Sequence, residues 1–384
     1  MHVAWTALLG VVAFLWVLEA IDIANGVPSI PSLTEVAPLR DEQCPSVSVL
    51  FAARDEAEKL PGALKTILAL DYPRYEVIAV DDRSTDGTGE ILAAAARQNA
   101  LLKCVHVSSL PSGWLGKPHA LEQAYEKSTG EWLVFTDGDV HFAPDLLRRV
   151  VALAEAKKWD HVTLLGALGM FTIGEKIAMT FFAMAFVMGT RPWAASDPDS
   201  RAYSGVGAFQ MIRRSAYEAI GTHRRLAMEV VDDMKLGKLA KDGGFRSGAA
   251  KAGDAVSVHW HSGVGNMIRG TTKNFFATSG YKVRVTSIQI FGLLIMCVFP
   301  VVALPFTHGH ARLFDLVAIV LPLIIAAGAA RQFRTPVLFA VTYPIGAAIF
   351  AWMLLRSMVV TLWRGGIEWR GTFYPLEELR RGVV

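Results

Sequence analysis

The sequence predicts an α/β domain built on a mainly parallel sheet, carried between membrane segments at the two ends of the chain. Three observations predict it. From Ser46 onward, short β-prone apolar runs alternate with loops and helical patterns. Acidic clusters follow two of those runs directly, at the edge where open α/β sheets bind ligands. Hydrophobic residues make up 52% of the 384 positions and charged residues only 19%, with a mean hydropathy of +0.35. That excess, concentrated at the ends, belongs to an integral membrane protein.

Residues 3–18 are apolar and lack the basic leader and small-residue cleavage site of a secretory signal, so they read as a retained anchor that Glu19 and Asp22 close, within an anchor region 1–23. Residues 24–45, with Pro and Ser, read as a linker to a catalytic domain at 46–265. In it, strands are expected at 47–51, 77–80, 104–107, 132–137 and 162–165, and helices at 56–70, 88–97, 121–127 and 144–158. Residues 177–189 are apolar but too short to span, which leaves a buried core helix or an interfacial one.

After an interfacial segment at 266–285, three apolar stretches, 288–306, 313–330 and 336–355, fill a C-terminal membrane region at 286–363, and a basic-aromatic tail follows at 364–384. If these three and the anchor all span, the tail leaves on the side opposite the catalytic domain, yet it carries Arg364, Arg370, Arg380 and Arg381. The positive-inside rule then requires one segment to be interfacial or re-entrant. Three separated cysteines, Cys44, Cys104 and Cys297, fit a reducing compartment and a cytoplasmic catalytic domain. A net charge of +3 with mixed signs along the chain indicates no nucleic-acid partner.

Chemistry is expected from three acidic clusters. Asp81-Asp82 and Asp137-Gly138-Asp139 each end a strand, and Glu229-Val230-Val231-Asp232-Asp233 opens a helix. Chance alone supplies about three acid-x-acid triplets in such a chain, so the middle one gains weight only from its strand and its companions. Asp197-Pro198-Asp199, which no strand feeds, shows the difference. Paired carboxylates at a sheet edge suit a divalent cation that completes its shell with phosphates, and Gly138 is expected to clear space for that ligand.

Together with Ala53-Arg54-Asp55-Glu56, Arg83-Ser84-Thr85-Asp86-Gly87 and Leu236-Gly237, these clusters resemble the family 2 glycosyltransferases, membrane-associated inverting enzymes of GT-A fold, over roughly residues 46–260. Gly113-Trp114-Leu115-Gly116-Lys117 is similar to the branch holding hopanoid-associated and carotenoid glycosyltransferases, with ceramide glucosyltransferases more distant. The resemblance implies a UDP-sugar donor, a lipid acceptor, Mg2+ or Mn2+, and a multi-pass protein of the cell inner or plasma membrane. It assigns Asp55 and Asp82 to the nucleoside, Lys117 to phosphate, Asp137 to ribose or metal, Asp139 to the metal, and Asp233 to the general base, with Asp232 as competitor.

Processive relatives carry a Gln/Arg-x-x-Arg-Trp signature after the base. Here Asn266-Met267-Ile268-Arg269-Gly270 keeps Arg269 for the diphosphate but lacks the tryptophan, which argues against a polysaccharide synthase. Of His259 and His261, two apart on a strand, one at most reaches the site. A non-catalytic nucleotide-sugar-binding membrane protein is the remaining alternative, disfavoured by the presence of Asp82, Asp139 and Asp233 together.

Overall fold

The computed structural model describes residues 2–259, 263–332 and 335–384; Trp260 and His261 lie outside the described residues. The chain forms two compact units. One comprises Ile30–Gly169, Pro192–His259 and Arg370–Val384, and the other Met1–Ser29, Met170–Arg191 and Trp260–Trp369.

The first unit is an α/β fold around an eight-stranded mixed sheet. Its strands are β1 (Val47–Ala53), β2 (Tyr75–Asp82), β3 (Leu102–Val107), β4 (Trp132–Asp137), β5 (His141–Phe142), β6 (His161–Leu168), β7 (Gln210–Arg213) and β8 (Ser247–Val258), in the order 3-2-1-4-7-6-8-5. Strands β1 to β4 run parallel, β7 is antiparallel to both β4 and β6, and β5 is antiparallel to β8.

Both faces of the parallel half are buried, which explains its near-continuous apolar runs. Val47, Val49 and Phe51 pack into the core on one face, and Leu50, Ile78, Val80, Leu133 and Phe135 into the core on the other. Parallel pairing sets Ala53 beside Asp81 and Ala52 beside Asp137. The acidic ends of β2 and β4 therefore emerge level with the end of β1.

The helix expected at 56–70 runs only from Leu60 to Ile67, with Pro61 in its first turn. Asp55 has a positive φ of 53°, and the amides of Glu56 and Ala57 donate to Thr88 and Asp86 instead of extending the helix. Residues 30–45 pack against this unit, with Leu33 and Cys44 in its core and the Lys251 amide donating to the Pro31 carbonyl.

The second unit is apolar and helical. Among the described residues, five segments are long and apolar enough to cross a membrane: Ala4–Ser29, Ile173–Ser196, Val283–Phe306, Gly309–Gln332 and Val337–Arg364. The first helix continues past Glu19 and Asp22 to Gly26, because both carboxylate oxygens of Asp22 receive Arg191, at 2.8 and 2.7 Å. The stretch expected at 177–189 is longer than its apolar run, starting at Ile173 under a capping box of Thr172 and Glu175. Strands β9 (Gly366–Trp369) and β10 (Thr372–Pro375) flank the Arg370-Gly371 turn at the boundary between the units.

Candidate active site

Loops after β1 and β2 are laced together. The Asp55 carboxylate accepts from the Thr85 amide at 2.8 Å and its hydroxyl at 3.3 Å, while the Asp55 amide donates to Ser84 Oγ at 3.2 Å. Asp55 is thus a brace between two loops, not a helix cap. Asp82 is buried, and Arg83 grips it through Nε at 2.7 Å and Nη2 at 3.1 Å, with Arg54 Nη1 at 4.0 Å. This pairing holds the Arg83 guanidinium even more firmly charged than usual. The helix Gly116–Glu126 starts against the same carboxylate: a Cβ on Gly116 would lie 2.4 Å from Asp82 Oδ2, so only glycine fits there.

That close start places Lys117. Its ammonium lies 2.7 Å from Asp137 Oδ1 and 3.8 Å from Asp232 Oδ2. Burial alone would push this amine down, but the surrounding Asp137, Asp232 and Asp233 carboxylates push it well above the usual lysine range. Lys117 is a fixed cation.

Asp232 and Asp233 open the helix Asp232–Asp242. Asp233 accepts the Gly207 amide on Oδ2 and the Met234 amide on Oδ1, both at 2.8 Å. Burial raises its pKa, with the Asp137 charge adding to the rise and Lys117 and the two amides opposing it. A buried, amide-braced carboxylate with a raised pKa is a candidate for proton transfer. Asp232 faces His223 Nε2 at 4.0 Å.

Asp139 lies 3.0 Å from Lys59 Nζ. Glu56 lies close by: burial raises its pKa, the ion-paired Arg370 guanidinium lowers it, and Asp139 raises it further. Arg370 also donates to the Asp55 carbonyl at 3.4 Å.

Among the described residues, no three His, Cys, Asp or Glu side chains are grouped to hold a metal ion alone. The donor set nonetheless fits a hard cation. Mg2+-like ions need only one or two carboxylates when substrate phosphates complete the shell, and Asp137 and Asp139 are two such ligands, each now neutralised by a lysine. Asp139 with Asp137 could therefore hold it.

Asp55, Asp82, Lys117, Asp137, Asp139, Asp232 and Asp233 all belong to the sheet unit. Arg269 belongs to the apolar one, on the helix Val264–Thr271, where it donates to Asn266 Oδ1 at 2.6 Å. Sequence reasoning missed Lys59, Gly207 and His223. The alternation Gly205-Val206-Gly207 was the one available signal, since glycines two apart often mark close backbone approach.

Residues 48–221 match the family model for glycosyl transferase family 2. The chain carries a family 2 glycosyltransferase domain. The match ends before Asp232 and Asp233, so it covers Asp55, Asp82, Lys117, Asp137 and Asp139 but not those two residues. Beta-monoglucosyldiacylglycerol synthase from Nostoc sp. is 38% identical over 116 residues, 30% of this chain and 24% of that protein. The 4,4'-diaponeurosporenoate glycosyltransferase of Staphylococcus haemolyticus is 24% identical over 198 residues, 51% of this chain and 52% of its own length. The chain thus spans only about a quarter to a half of these relatives. In fold, the glycosyltransferase domain and its helices are similar to mannosyltransferase PcManGT from Pyrobaculum calidifontis, solved in complex with GDP-Man and Mn2+. The TM-score is 0.54 at 20% identity, over 93% of this chain and 99% of that one.

Proposed function

We propose that this protein transfers one sugar, with inversion, from a UDP-sugar to the hydroxyl of a lipid at a membrane surface. The observation that carries the proposal is the junction at Gly207. Its amide holds Asp233, and Asp137, which Lys117 neutralises, lies against the same Cα. A candidate base and a phosphate-side cation thus share one small region.

In this reading Asp82, gripped by Arg83, and Asp55, braced by Thr85, receive the base and ribose. Lys117 offsets negative charge on the diphosphate as the bond from the anomeric carbon to its leaving oxygen breaks. Asp233 takes the proton of the acceptor hydroxyl while the new carbon–oxygen bond forms on the opposite face, and UDP departs. A divalent cation held by Asp139 and Asp137 would supply further charge neutralisation to the leaving group. The lipid acceptor is supported by the names of the two relatives, a glucosyldiacylglycerol synthase and a diaponeurosporenoate glycosyltransferase, and by the apolar helices.

Connectivity constrains the membrane arrangement in this reading. Residues before and after Ile173–Thr190 belong to one sheet, since β6 pairs with β7, so that helix leaves and returns on the same side. Arg370–Val384 also belong to the sheet unit, which requires an even number of crossings among the three C-terminal segments. In this reading one of those three segments does not cross, and the sheet unit and the tail both stand on the cytoplasmic side.

The test is to incubate the detergent-purified chain with Mn2+, a panel of UDP- and GDP-sugars and a lipid extract, and to read product masses. A lipid carrying one added hexose from a UDP-sugar is the expected result. A soluble polymer, or nucleotide binding with no product across the panel, would overturn the proposal.

A further inference from the structure

His223 is buried, with a relative exposure of 1%, at the start of a 3-10 turn His223–Leu226. Its ring stacks at an angle against Phe135, centroids 4.8 Å apart. Nothing in the roles above uses it, and its burial holds the imidazole neutral, with a pKa of about 3.

The hydrogen bonds fix which nitrogen carries the proton. Tyr217 Oη accepts the His223 backbone amide at 2.9 Å and lies 2.6 Å from His223 Nδ1. Tyr217 is itself fully buried, and Nδ1, at 2.6 Å, is an acceptor within reach of its hydroxyl proton. The hydroxyl therefore donates to Nδ1, and the ring proton resides on Nε2. That nitrogen points at Asp232 Oδ2 from 4.0 Å, the same oxygen that Lys117 approaches at 3.8 Å. The opposite tautomer would set a nitrogen lone pair against a carboxylate.

We infer that His223 is a positioning residue: held as the Nε2–H tautomer by Tyr217, it presents a neutral donor to Asp232 and so sets the carboxylate that shares Lys117 with Asp137. The consequence is a division within the acidic pair. Asp232 Oδ2 faces His223 Nε2 at 4.0 Å and Lys117 Nζ at 3.8 Å, while both oxygens of Asp233 accept backbone amides at 2.8 Å. The titratable and charged groups around His223 are Lys117 and Glu122 on the helix Gly116–Glu126, Tyr217 on Arg214–Ala219, and Asp232 and Asp233 on Asp232–Asp242. The role in turnover rests on the proposed transferase reading; the tautomer does not.

Two measurements separate them. In the full chain in detergent, labelled with 15N-histidine, subtracting the His223→Phe spectrum from that of the wild type isolates one of ten histidines. A neutral ring protonated on Nε2 from pH 5.5 to 8 is expected; an Nδ1–H tautomer, or titration in that range, would overturn the inference. In sugar transfer, His223→Phe should lower kcat about tenfold or more with the donor KM unchanged, the scale on which groups orienting a site residue act. His223→Gln, which restores an N–H donor, should recover most of it. Equal losses in both variants, or none in either, would reduce His223 to packing. A wild type that transfers no sugar defeats the transferase reading instead, with the nitrogen spectra still deciding the tautomer.

Discussion

The Gly207 amide donates to Asp233 Oδ2 at 2.8 Å, and a methyl group on the same Cα would lie 2.8 Å from Asp137 Oδ2 and 3.2 Å from Asp233 Oδ2. Gly207→Ala should therefore displace both carboxylates at once. Since misplacement of reacting groups by about 1 Å can cost roughly a hundredfold in rate, turnover should fall on that scale while the protein remains folded. Initial rates measured beside thermal melts check it, and unchanged turnover would remove this contact from the catalytic geometry.

Asp233→Asn should retain UDP and metal affinity while turnover drops at least about a hundredfold, within the range that general-base catalysis supplies. Calorimetric binding and product assays on the same preparation separate the two effects.

The raised pKa of Asp233 has a sign for both rate and stability. Its reference value is 3.8 and burial moves it up, so the acid limb of the turnover profile should lie above that of an ordinary aspartate. Stability contributed by this group is present in full below 3.8 and is lost as pH rises through the folded value. Asp233→Asn, which cannot ionise, should then melt higher than the wild type at pH 7.5, and the gap should narrow as pH is lowered.

Lys117→Met would leave Asp137 and Asp232 without their shared cation. Breaking a fully buried pair costs about 3–5 kcal/mol. The Lys117 side chain is 22% exposed, and solvent screening lowers the expected loss to about 2 kcal/mol. Thermal melts read the loss, and UDP affinity should weaken in parallel through the missing phosphate contact.

Asp139→Ala should abolish the gain in UDP affinity that Mn2+ brings, leaving affinity in EDTA unchanged. Titrations with and without the metal decide it, and an undiminished Mn2+ effect would place the ion elsewhere.

Much of the site was legible because strand ends are legible. An apolar run that stops at Asp81-Asp82 or Asp137 announces where a parallel sheet ends, and parallel pairing brings those ends level without further information. Helix starts were less legible: the amides of Glu56 and Ala57 donate to Thr88 and Asp86, and the helix begins at Leu60. Glycine roles were the least legible. A Cβ on Gly138 would make ordinary contacts at 3.5 Å with Phe51 and the Ala52 carbonyl on β1. The close approach occurs at Gly207 instead, because the loop before β7 folds onto the start of the Asp232 helix from far along the chain.

By itself, then, the sequence determined the alternation of strand and helix, the apolar ends, and the acidic residues on which the chemistry rests, since all three are written in local composition and period. Tertiary structure alone decided which partners those residues meet. Lys117 stands between Asp137 and Asp232, Lys59 holds Asp139, and Tyr217 orients His223 toward Asp232. Apart from Tyr217, His223 and Asp232, which lie close in sequence, these partners lie far apart in the chain, and no local pattern encodes a contact that exists only once the sheet has been assembled.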